Sequence, residues 1–566
     1  MEAQHSRRRL YALSGLILLS AFLFADCGGG SGGDDTTASD ASGGSGALSA
    51  GASSTARAAA SETAGPQDVL TYHNDIARTG QALNETVLTP ANVESATFGK
   101  VGFFAVDGKV DAQPLYVGAQ SIAGIAHNVL YVVTEHDTVF AFDADSGATL
   151  WKRGALPPGE TASDDLGCGQ ITKEIGVTAT PVIDRTRGPN GTIYYVSMSK
   201  DTAGNYHHRV HALDLSTGAG VLGSPTEIGA SYPGNGAAST NGVVPFIPAL
   251  YAERAGLLLL NDVLYTTWTS HCDDGGYTGW IIGYGAGTLQ QTTVLNVTPN
   301  GIRGAIWMSG AGPASDGSSI YLLDGNGTFD TTLNANGFPN MGDFGNGFLK
   351  LGTEGGLSVA DYFAMANVTH EADDDIDLGS GGALVLPDLT DANGAVQHLT
   401  LGAGKDANIY VLNRDSMGKF NASGDNIYQR ISGQLAGPEF GMPAYYNGRV
   451  YFGPVGDNLK AFTVSNALLS TTPSARSSMT FAFPGTTPSV SANGTTNGIV
   501  WAVENGSTAV LHAFDPVSLA ELYNSNQAGT RDQFGVGNKF ITPMIANGKV
   551  YVGTTNGVAV FGLLGG

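Results

Sequence analysis

The sequence has 566 residues, of which 81 are glycine, and only 14% are Asp, Glu, Lys or Arg. Glycine is about twice as frequent as the roughly 7% of an average protein and charge is well below the usual ~25%, which favours a fold with many tight turns. The formal net charge of -23 leaves no basic surface to neutralise phosphates and argues against a nucleic-acid partner.

The N-terminus predicts export. Three arginines at positions 7–9 precede an apolar run at positions 10–25 that is too short for an ordinary spanning helix, so residues 1–27 are predicted to be an export signal. Cys27 resembles the lipid-acceptor cysteine of bacterial lipoproteins, whereas Asp26 stands where that motif has a small residue. Two alternatives stay open, a lipid anchor on Cys27 or a plain signal. The predicted location is periplasmic, outer-membrane-anchored or extracellular, with membrane contact only through this anchor.

Residues 28–65 consist mainly of Gly, Ser, Ala, Thr and Asp. Such a segment buries too little apolar surface to offset the entropy of ordering, so a disordered tether is predicted here. Residues 66–566 are predicted to form a single domain.

A repeating unit follows, in which a small residue and a proline open a short apolar run. The first gaps between these prolines are about 65 residues, and fixed-period repeats of short strands are typical of β-propellers. A further unit begins near Gly379, which makes about eight. The prolines are Pro114, Pro181, Pro248, Pro313, Pro443, Pro488 and Pro543.

The second half of each unit predicts three further strands, as in residues 128–151. The last unit stops at Leu563 without an outer strand, while Phe98–Val106 has no partner of its own. We therefore predict an all-β, eight-bladed propeller in which Phe98–Val106 completes the last blade, because ring closure removes exposed sheet edges.

The segment AFDADSGATLW, which ends at Trp151, resembles the repeat of pyrroloquinoline quinone (PQQ) dehydrogenases. The chain is thus similar to the quinoprotein alcohol dehydrogenase-like propellers over most of residues 71–563. The resemblance implies that the functional site lies on the face formed by the loops that link one blade to the next.

Four further segments resemble site motifs of this family, in the same order along the chain. GAIWMS carries Trp307, which the resemblance places against the quinone ring. YLLDGNGTF carries Asn326 as a calcium ligand, and DIDLGSGGALVLPD carries Asp377 as the catalytic base and a calcium ligand. GKDANIYVLNRDSMGK carries Lys405, which would contact the quinone oxygen.

A fifth segment, CDDGGYTGWIIGY, occupies the blade where the family has a calcium-binding Glu, and Asp274 or Asp273 would stand in for it. The family also has two adjacent cysteines, whereas Cys168 is followed by glycine. A longer disulfide from Cys168 to Cys272 is the hypothesis that replaces that pair, and an oxidising compartment favours it.

These assignments imply a PQQ- and Ca²⁺-dependent dehydrogenase that oxidises an alcohol or a sugar. PQQ carries carboxylates and an electrophilic carbonyl, so its site needs a cation with oxygen ligands, a flat aromatic face and a base. The sequence has no CxxCH motif, which predicts that no haem is bound covalently and that electrons leave to an external carrier.

The same residues also have ordinary structural explanations. Asn326 lies in a glycine-rich turn that such residues favour, Trp307 fits a core position, and Lys405 fits a solvated loop. The alternative function is accordingly a non-catalytic scaffold or binding lipoprotein of the cell envelope, which presents this face to a protein or a glycan.

Overall fold

The computed structural model describes residues 67–565, so the predicted export signal, Cys27 and the tether lie outside the described residues. Eight antiparallel sheets of four strands follow one another along the chain and form the blades. Blade 1 is Leu115–Ile122, Ile125–Thr134, Thr138–Asp143 and Thr149–Gly154; blade 2 is Val182–Asp184, Thr192–Asp201, Tyr206–Asp214 and Thr226–Glu227; blade 3 is Leu258–Leu260, Val263–Ser270, Trp280–Gly285 and Gln291–Asn296; blade 4 is Ala314–Ser315, Ser319–Leu323, Phe348–Gly352 and Ser358–Ala364. Blade 5 is Leu384–Val385, Leu399–Ala403, Ile409–Asn413 and Gln429–Ile431; blade 6 is Ala444–Tyr446, Arg449–Phe452, Asp457–Ser465 and Ala475–Phe481; blade 7 is Ser489–Asn493, Thr496–Glu504, Val510–Phe514 and Glu521–Asn524; blade 8 is Met544–Ala546, Lys549–Gly553, Gly557–Leu563 and Phe98–Ala105.

Short accessory elements decorate the blades. The accessory strands are Gln81–Ala82, Glu160–Asp164, Glu174–Ile175, Ser231–Pro233, Val243–Pro245, Tyr251–Ala252, Leu389–Thr390, Val396–Gln397, Lys419–Phe420 and Leu468–Leu469. The helical elements are the α-helix Val368–Asp373 and the 3₁₀ turns Pro248–Leu250, Met308–Gly310, Leu378–Ser380 and Gly529–Asp532.

The ring closes as predicted. Phe98–Ala105 pairs antiparallel with Gly557–Leu563, with Phe98 opposite Leu563 and Ala105 opposite Gly557. The last blade is thus built from both ends of the domain. This pairing confirms the eight-bladed propeller closed by an N-terminal strand.

Six of the seven prolines mark the blades directly, since each precedes the first residue of an innermost strand. Pro248 does not, which corrects the predicted register of blade 3. It opens the 3₁₀ turn Pro248–Leu250, and the innermost strand begins only at Leu258. The intervening strand Tyr251–Ala252 pairs with the end of Val263–Ser270 and extends this blade toward one face.

The repeat motif of blade 1 docks that blade onto the next. Trp151 donates its indole N–H to the carbonyl of Leu215 at 2.9 Å. A Cβ on Gly218 would lie 2.7 Å from the Trp151 ring, and Gly218 has a φ of +64°. The glycine of the turn after the third strand of blade 2 therefore meets two demands, a left-handed backbone and room for the ring of the preceding blade.

The segment Val69–Gly80, here called the plug, connects all eight blades at the centre of the ring. Its hydrogen bonds join Val69 to Tyr116 in blade 1, Leu70 to Ile183 in blade 2, Arg78 to Leu257 beside blade 3, Ile76 to Ser315 in blade 4, Ala77 to Val385 in blade 5, Thr79 to Tyr445 in blade 6, Gly80 to Val490 in blade 7 and Tyr72 to Thr542 beside blade 8. Because these partners lie at or next to the start of each innermost strand, the plug forms a floor beneath the loops that lead into those strands.

The chain reaches the plug from the other face. The Asp68 carboxylate accepts hydrogen bonds from the Gly118 N–H and from Arg185, and both partners lie farther along their innermost strands than the plug contacts. The N-terminal segment therefore enters the described domain on the face opposite the loops that lead into the innermost strands.

Candidate functional site

The loops that lead into the innermost strands surround the plug, and we call this end of the ring the mouth. Each loop carries one prominent side chain that lies four to seven residues before the first residue of the innermost strand. In blade order these are Asp111, Thr178, Arg254, Trp307, Asp377, Phe440, Phe483 and Phe540. Blades 1 to 5 thus contribute mostly polar groups and a Trp, the charged half, while blades 6 to 8 contribute three phenylalanines, the aromatic half.

Asp377 is the centre of the charged half, and three of the predicted site residues meet there. Its Oδ1 accepts the backbone N–H of Asn326 at 2.6 Å, and its Oδ2 lies 2.5 Å from Lys405 Nζ. Asp375 joins the group, with Oδ1 3.1 Å from both Lys405 Nζ and Asn326 Nδ2. The structure therefore brings Asn326, Asp377 and Lys405 together, as the order of motifs predicts.

Trp307 lies on the other side of the same point. A Cβ built on Gly325 would be 3.5 Å from Asp377 Oδ1 and 3.6 Å from Trp307 Cδ1, and only 2.9 Å from the carbonyl oxygen of Ala305. Because Gly325 has no side chain, the Asp377 carboxylate, the Trp307 indole and the Ala305 carbonyl can all lie close to its Cα. Trp307 is half-buried and packs at the edge of the core of blades 2 and 3, so part of its ring remains accessible at the mouth.

Burial controls the protonation of this group. Burial raises the pKa of Asp377, while the Lys405 ammonium and the Asn326 N–H act against that rise. Burial also disfavours the charge on Lys405, but Asp377 and Asp375 outweigh it, and the pKa of Lys405 is raised. A buried carboxylate whose pKa is raised is a stronger base than an exposed one, and is therefore suited to accept a proton.

Asp324 and Asn346 support the site from below. Asp324 is fully buried, accepts the Gly347 N–H, and has a second oxygen, Oδ2, without a protein partner. Burial raises its pKa well above the usual range, and the charge of Asp377 adds to the rise. Asn346 accepts the Leu378 N–H at 2.7 Å and thereby fixes the backbone next to Asp377.

The two other predicted calcium ligands have separate environments. Asp273 accepts hydrogen bonds from Ser270, Tyr277 and Gln170 at 2.5–2.9 Å. Asp274 is exposed and accepts the N–H of Gly275. Within residues 67–565, no three His, Cys, Asp or Glu side chains are arranged to hold a metal ion.

Cys168 and Cys272 form a disulfide with a Cα–Cα distance of 5.8 Å. It joins the connection between blades 1 and 2 to a loop of blade 3 at the mouth. Lys539, beside Phe540, donates to the Gly169 carbonyl at 2.8 Å, and Gln170 donates to Asp273. Two hydrogen bonds, from Lys539 to Gly169 and from Gln170 to Asp273, thus hold the disulfide loop at the mouth.

A second charged cluster lies under blades 1 to 3. Lys109 Nζ is 2.8 Å from Asp111 Oδ2, and Glu135 accepts hydrogen bonds from the Gly176 N–H and Thr178 hydroxyl. Burial and the adjacent Asp111 charge raise the pKa of Glu135 well above its usual range. Burial works against ionisation of Asp111 as well, but Lys109 outweighs it and its pKa is lowered. The two neighbouring acids thus have pKa values shifted in opposite directions.

The aromatic half has a different organisation. The ring centroids of Phe440, Phe483 and Phe540 lie 5.5–6.4 Å apart in all three pairs. Next to Phe440, the fully buried Glu439 accepts the Gly441 N–H at 2.8 Å, while its Oε2 has no protein partner. Burial raises the pKa of Glu439 to about 8, so it is a neutral acid at pH 7.

Sequence motifs gave no indication of several of these residues. Asp324 does lie within the YLLDGNGTF segment and Glu439 four residues before Pro443, but neither spacing marks a functional acid. Arg254 and the three phenylalanines resemble ordinary loop and core residues in sequence. Only the propeller topology places them around one opening.

No protein-family model and no curated protein matches the sequence. Solved structures do match the fold. A quinohemoprotein alcohol dehydrogenase from Comamonas testosteroni aligns with a TM-score of 0.57 and 13% identity, over 88% of this chain and 81% of that chain. A quinohemoprotein alcohol dehydrogenase from Pseudomonas putida HK5 aligns with a TM-score of 0.56 and 12% identity, over the same shares of the two chains. A europium-containing methanol dehydrogenase aligns at 0.54 and 12%, over 88% of this chain and 98% of that chain.

These similarities establish the architecture. The chain has the eight-bladed propeller fold of quinoprotein alcohol dehydrogenases, and at such low identity the likeness concerns the fold alone. Among residues 67–565, no helix combines the length and apolar character needed to cross a membrane.

Proposed function

We propose that this chain is a PQQ-dependent, dehydrogenase-like quinoprotein that oxidises an alcohol or a sugar, with Asp377 as the base that accepts the hydroxyl proton. The observation that carries the proposal is the convergence of Asp377, Lys405 and Asn326 beside Trp307 at the mouth. Four residues from four separate loops meet at one point, and local turn preferences do not account for that.

The residues present fit a planar quinone. The half-buried Trp307 offers one ring face, and the plug closes the space beneath it. Two buried acids, Asp324 and Glu439, each have an oxygen without a protein partner near the mouth. Bound PQQ would supply the electrophilic carbonyl and accept the two electrons taken from the substrate.

The protein's own part in the reaction is a proton transfer. Asp377 is held in place by the Asn326 N–H, so that its carboxylate keeps one orientation. Lys405 favours the ionised carboxylate and also brings a positive charge to the place where negative charge develops on an oxygen. Together they make the substrate hydroxyl easier to deprotonate.

The binding of a Ca²⁺ ion beside Asn326 and Asp377 remains a prediction. Asn326 and Asp377 are adjacent, whereas Asp273 is engaged by three other side chains and Asp274 lies exposed on its own loop. We propose Asp274 or Asp273, Asn326 and Asp377 as the oxygen ligands of this cation. Titration with Ca²⁺ in the presence of PQQ tests this directly.

We also propose that the protein is exported, to the periplasm, to the outer membrane by an anchor, or to the outside of the cell, because residues 1–27 are predicted to be an export signal. The chain enters the domain on the face opposite the mouth, as the Asp68 contacts indicate. An exported protein would meet its substrate and an external electron acceptor outside the cytoplasm.

The alternative is a non-catalytic propeller that binds an envelope protein or a glycan. One observation favours it: both oxygens of Asp377 already have partners within the protein. If such a role holds, the charged half is a structural network and no quinone binds.

Reconstitution distinguishes the two functions. Purified protein is incubated with PQQ, with and without Ca²⁺, and examined for quinone absorbance and for dye-linked oxidation of an alcohol and sugar panel. We expect stoichiometric PQQ binding and measurable oxidation. Well-folded protein that binds no quinone would contradict the enzymatic proposal.

A further inference from the structure

A cleft lies between blades 6 and 7. Its walls are the hairpins that join the first two strands of each of these blades, and the turn that follows the third strand of blade 7. Because consecutive strands of a blade are antiparallel, these connections lie at the end of the ring opposite the mouth. Six of the lining residues have polar side chains: Tyr446, Asn447, Arg449, Thr495, Asn497 and Asp515.

Two of these side chains have hydrogen-bonding groups that the protein does not use. Tyr446 is 3% exposed and its hydroxyl has no partner, and Arg449 has no partner on Nε. The two residues are paired across the blade 6 hairpin, which places both side chains on the same side of the strands. Buried polar groups without partners are uncommon and mark places where a ligand or water completes the hydrogen bonding.

The walls of the cleft are fixed by contacts of their own. Tyr451, in the second strand of blade 6, donates its hydroxyl to the Pro516 carbonyl at 2.7 Å and so joins this blade to the turn of blade 7. A Cβ built on Gly498 would lie 2.6 Å from Tyr446 Cε1, so the Tyr446 ring packs directly on the backbone of blade 7. The cleft therefore has a defined shape before any ligand enters.

One cation and one acid line the cleft. Burial opposes the ionisation of Asp515, but the Ser518 N–H and hydroxyl and the charge of Arg449 outweigh it, and the pKa of Asp515 is lowered. Within residues 67–565, no carboxylate forms an ion pair with Arg449. A molecule between the two must accept from a guanidinium and donate to a carboxylate, and hydroxyl groups do both. The two opposite charges disfavour a simple anion or cation.

The size and the rim of the cleft narrow the ligand further. The cleft has a volume of about 230 Å³, which is below the roughly 300–1,000 Å³ of pockets for drug-sized ligands. It therefore suits a molecule the size of a single sugar ring. Val517, which is 55% exposed, and Pro90 and Pro516 provide apolar surface for the C–H groups of such a ring.

We propose that this cleft binds a neutral sugar, with Arg449, Asp515 and the Tyr446 hydroxyl as the groups that bond its hydroxyls. The sugar is either a free monosaccharide or the end unit of a glycan, since both present the same ring. The inference goes beyond the proposed function, because none of these residues lies at the mouth and the bound sugar is not oxidised.

The test is a saturation-transfer NMR titration of the full-length protein. The ligands are D-glucose, D-galactose and N-acetyl-D-glucosamine, the trisaccharides cellotriose and chitotriose, and the charged comparators sodium acetate and glycine. We expect at least one sugar to bind with a Kd of about 1 mM or tighter, and acetate and glycine not to bind. A monosaccharide that binds as tightly as its trisaccharide identifies a free sugar as the ligand, and a preference for the trisaccharide identifies a glycan end.

Two variants change the cleft and one serves as the control. Arg449→Met should weaken sugar binding about tenfold, the loss typical of a hydrogen bond to a charged group. Tyr446→Phe removes only the unpartnered hydroxyl and should weaken binding by about threefold or more. Arg476→Met changes an exposed arginine on the outermost strand of the same blade and should bind as the parent does. Thermal unfolding checks that each variant is folded.

The variant Asp377→Asn separates this site from the mouth, and it should bind the sugar as tightly as the parent. Sugar binding that Asp377→Asn weakens and Arg449→Met does not would place the sugar at the mouth and overturn the inference. Well-folded protein that binds none of the sugars, or that binds acetate through Arg449 instead, also overturns it. Reconstitution of Arg449→Met with PQQ should match the parent, so the dehydrogenase proposal stands or fails separately.

Discussion

The two halves of the mouth are built from equivalent loops but have opposite chemistry. In the charged half the ionised acids have cationic neighbours, as Asp377 has Lys405 and Asp111 has Lys109. In the aromatic half three rings pack on one another, and the acid beside them, Glu439, has no cation within bonding distance. A propeller therefore repeats a backbone and not a chemistry, and function depends on which side chain each loop places at the mouth.

Two neighbouring acids make the contrast sharpest. Asp377 precedes blade 5 and Glu439 precedes blade 6, and both are buried. Lys405 and Asn326 support the charge of Asp377, whereas the Glu439 carboxyl is bonded by backbone N–H groups, Gly441 among them. Asp377 is thus suited to accept a proton, whereas Glu439 is suited to retain one. The predictions below test this division.

The largest effect is expected for Asp377→Asn. The amide keeps the shape and can still accept the Asn326 N–H, but it cannot take up a proton. Removal of a general base typically costs about 10²–10⁴-fold, so kcat for the best alcohol should fall about 10³-fold while PQQ still binds. Steady-state kinetics and quinone absorbance measure the two properties separately. In the control Asp375→Asn, whose side chain is 73% exposed, kcat should fall less than about fivefold.

The next effect concerns the disulfide, which belongs only to the charged half. Cys168 and Cys272 are separated by 104 positions in sequence, and closing a loop of this length restricts the unfolded chain by roughly 2–4 kcal/mol. The double variant Cys168→Ser/Cys272→Ser should lower Tm by several degrees in thermal unfolding. Dithiothreitol should lower the Tm of the parent protein equally and leave the variant unaffected. An unchanged Tm would mean that Lys539 and Gln170 alone fix this loop.

Sequence patterns predicted the ring and its closure because blade strands are set by local rules. Alternating apolar residues, a proline before the innermost strand and glycine in the turns recur in almost every unit. The prediction fails at Pro248 because the inserted 3₁₀ turn and the strand Tyr251–Ala252 delay the innermost strand of blade 3 by nine residues, to Leu258, without changing the local pattern. Local patterns carry no information about such an insertion until the strands are paired.

The site was predictable only where residues lie within a recognisable motif. Trp307, Asn326, Asp377 and Lys405 lie in such motifs, and the structure brings them to one point, while their roles remain predictions. The cluster of Phe440, Phe483 and Phe540 was not predictable, because the three residues are distant in sequence and each fits a core strand. Their shared position depends on the order of blades around the axis, which is a property of the whole ring.

A smaller effect is expected for Lys405→Met, which removes the cation beside Asp377. Burial already raises the pKa of Asp377 and Lys405 opposes that rise, so without the ammonium the pKa should rise further. The acid side of the pH profile of kcat/KM should move upward, with roughly a tenfold loss of kcat/KM at neutral pH that is recovered at high pH. Lys152→Met, at a side chain that is 50% exposed on the outer strand of blade 1, should leave the profile in place. A loss that is equal at every pH would mean that Lys405 acts on substrate binding and not on the protonation of Asp377.

The smallest effect is expected for Glu439→Gln, and it appears as a pH dependence of stability. The pKa of Glu439 is raised to about 8 in the folded protein, against about 4.3 in an unfolded chain. Between these values the folded state binds more protons than the unfolded state, so this group's contribution to the free energy of unfolding is fully present below about pH 4. That contribution is lost as the pH rises through about 8. Glutamine does not titrate, so the variant should gain about 1–3 kcal/mol relative to the parent protein between pH 5 and pH 9. Urea unfolding at several pH values measures this, with Glu94→Gln, an exposed acid, as the control. Parallel pH curves for the parent and Glu439→Gln would mean that Glu439 is already ionised in the folded protein, and the aromatic half would then contain a charge of its own.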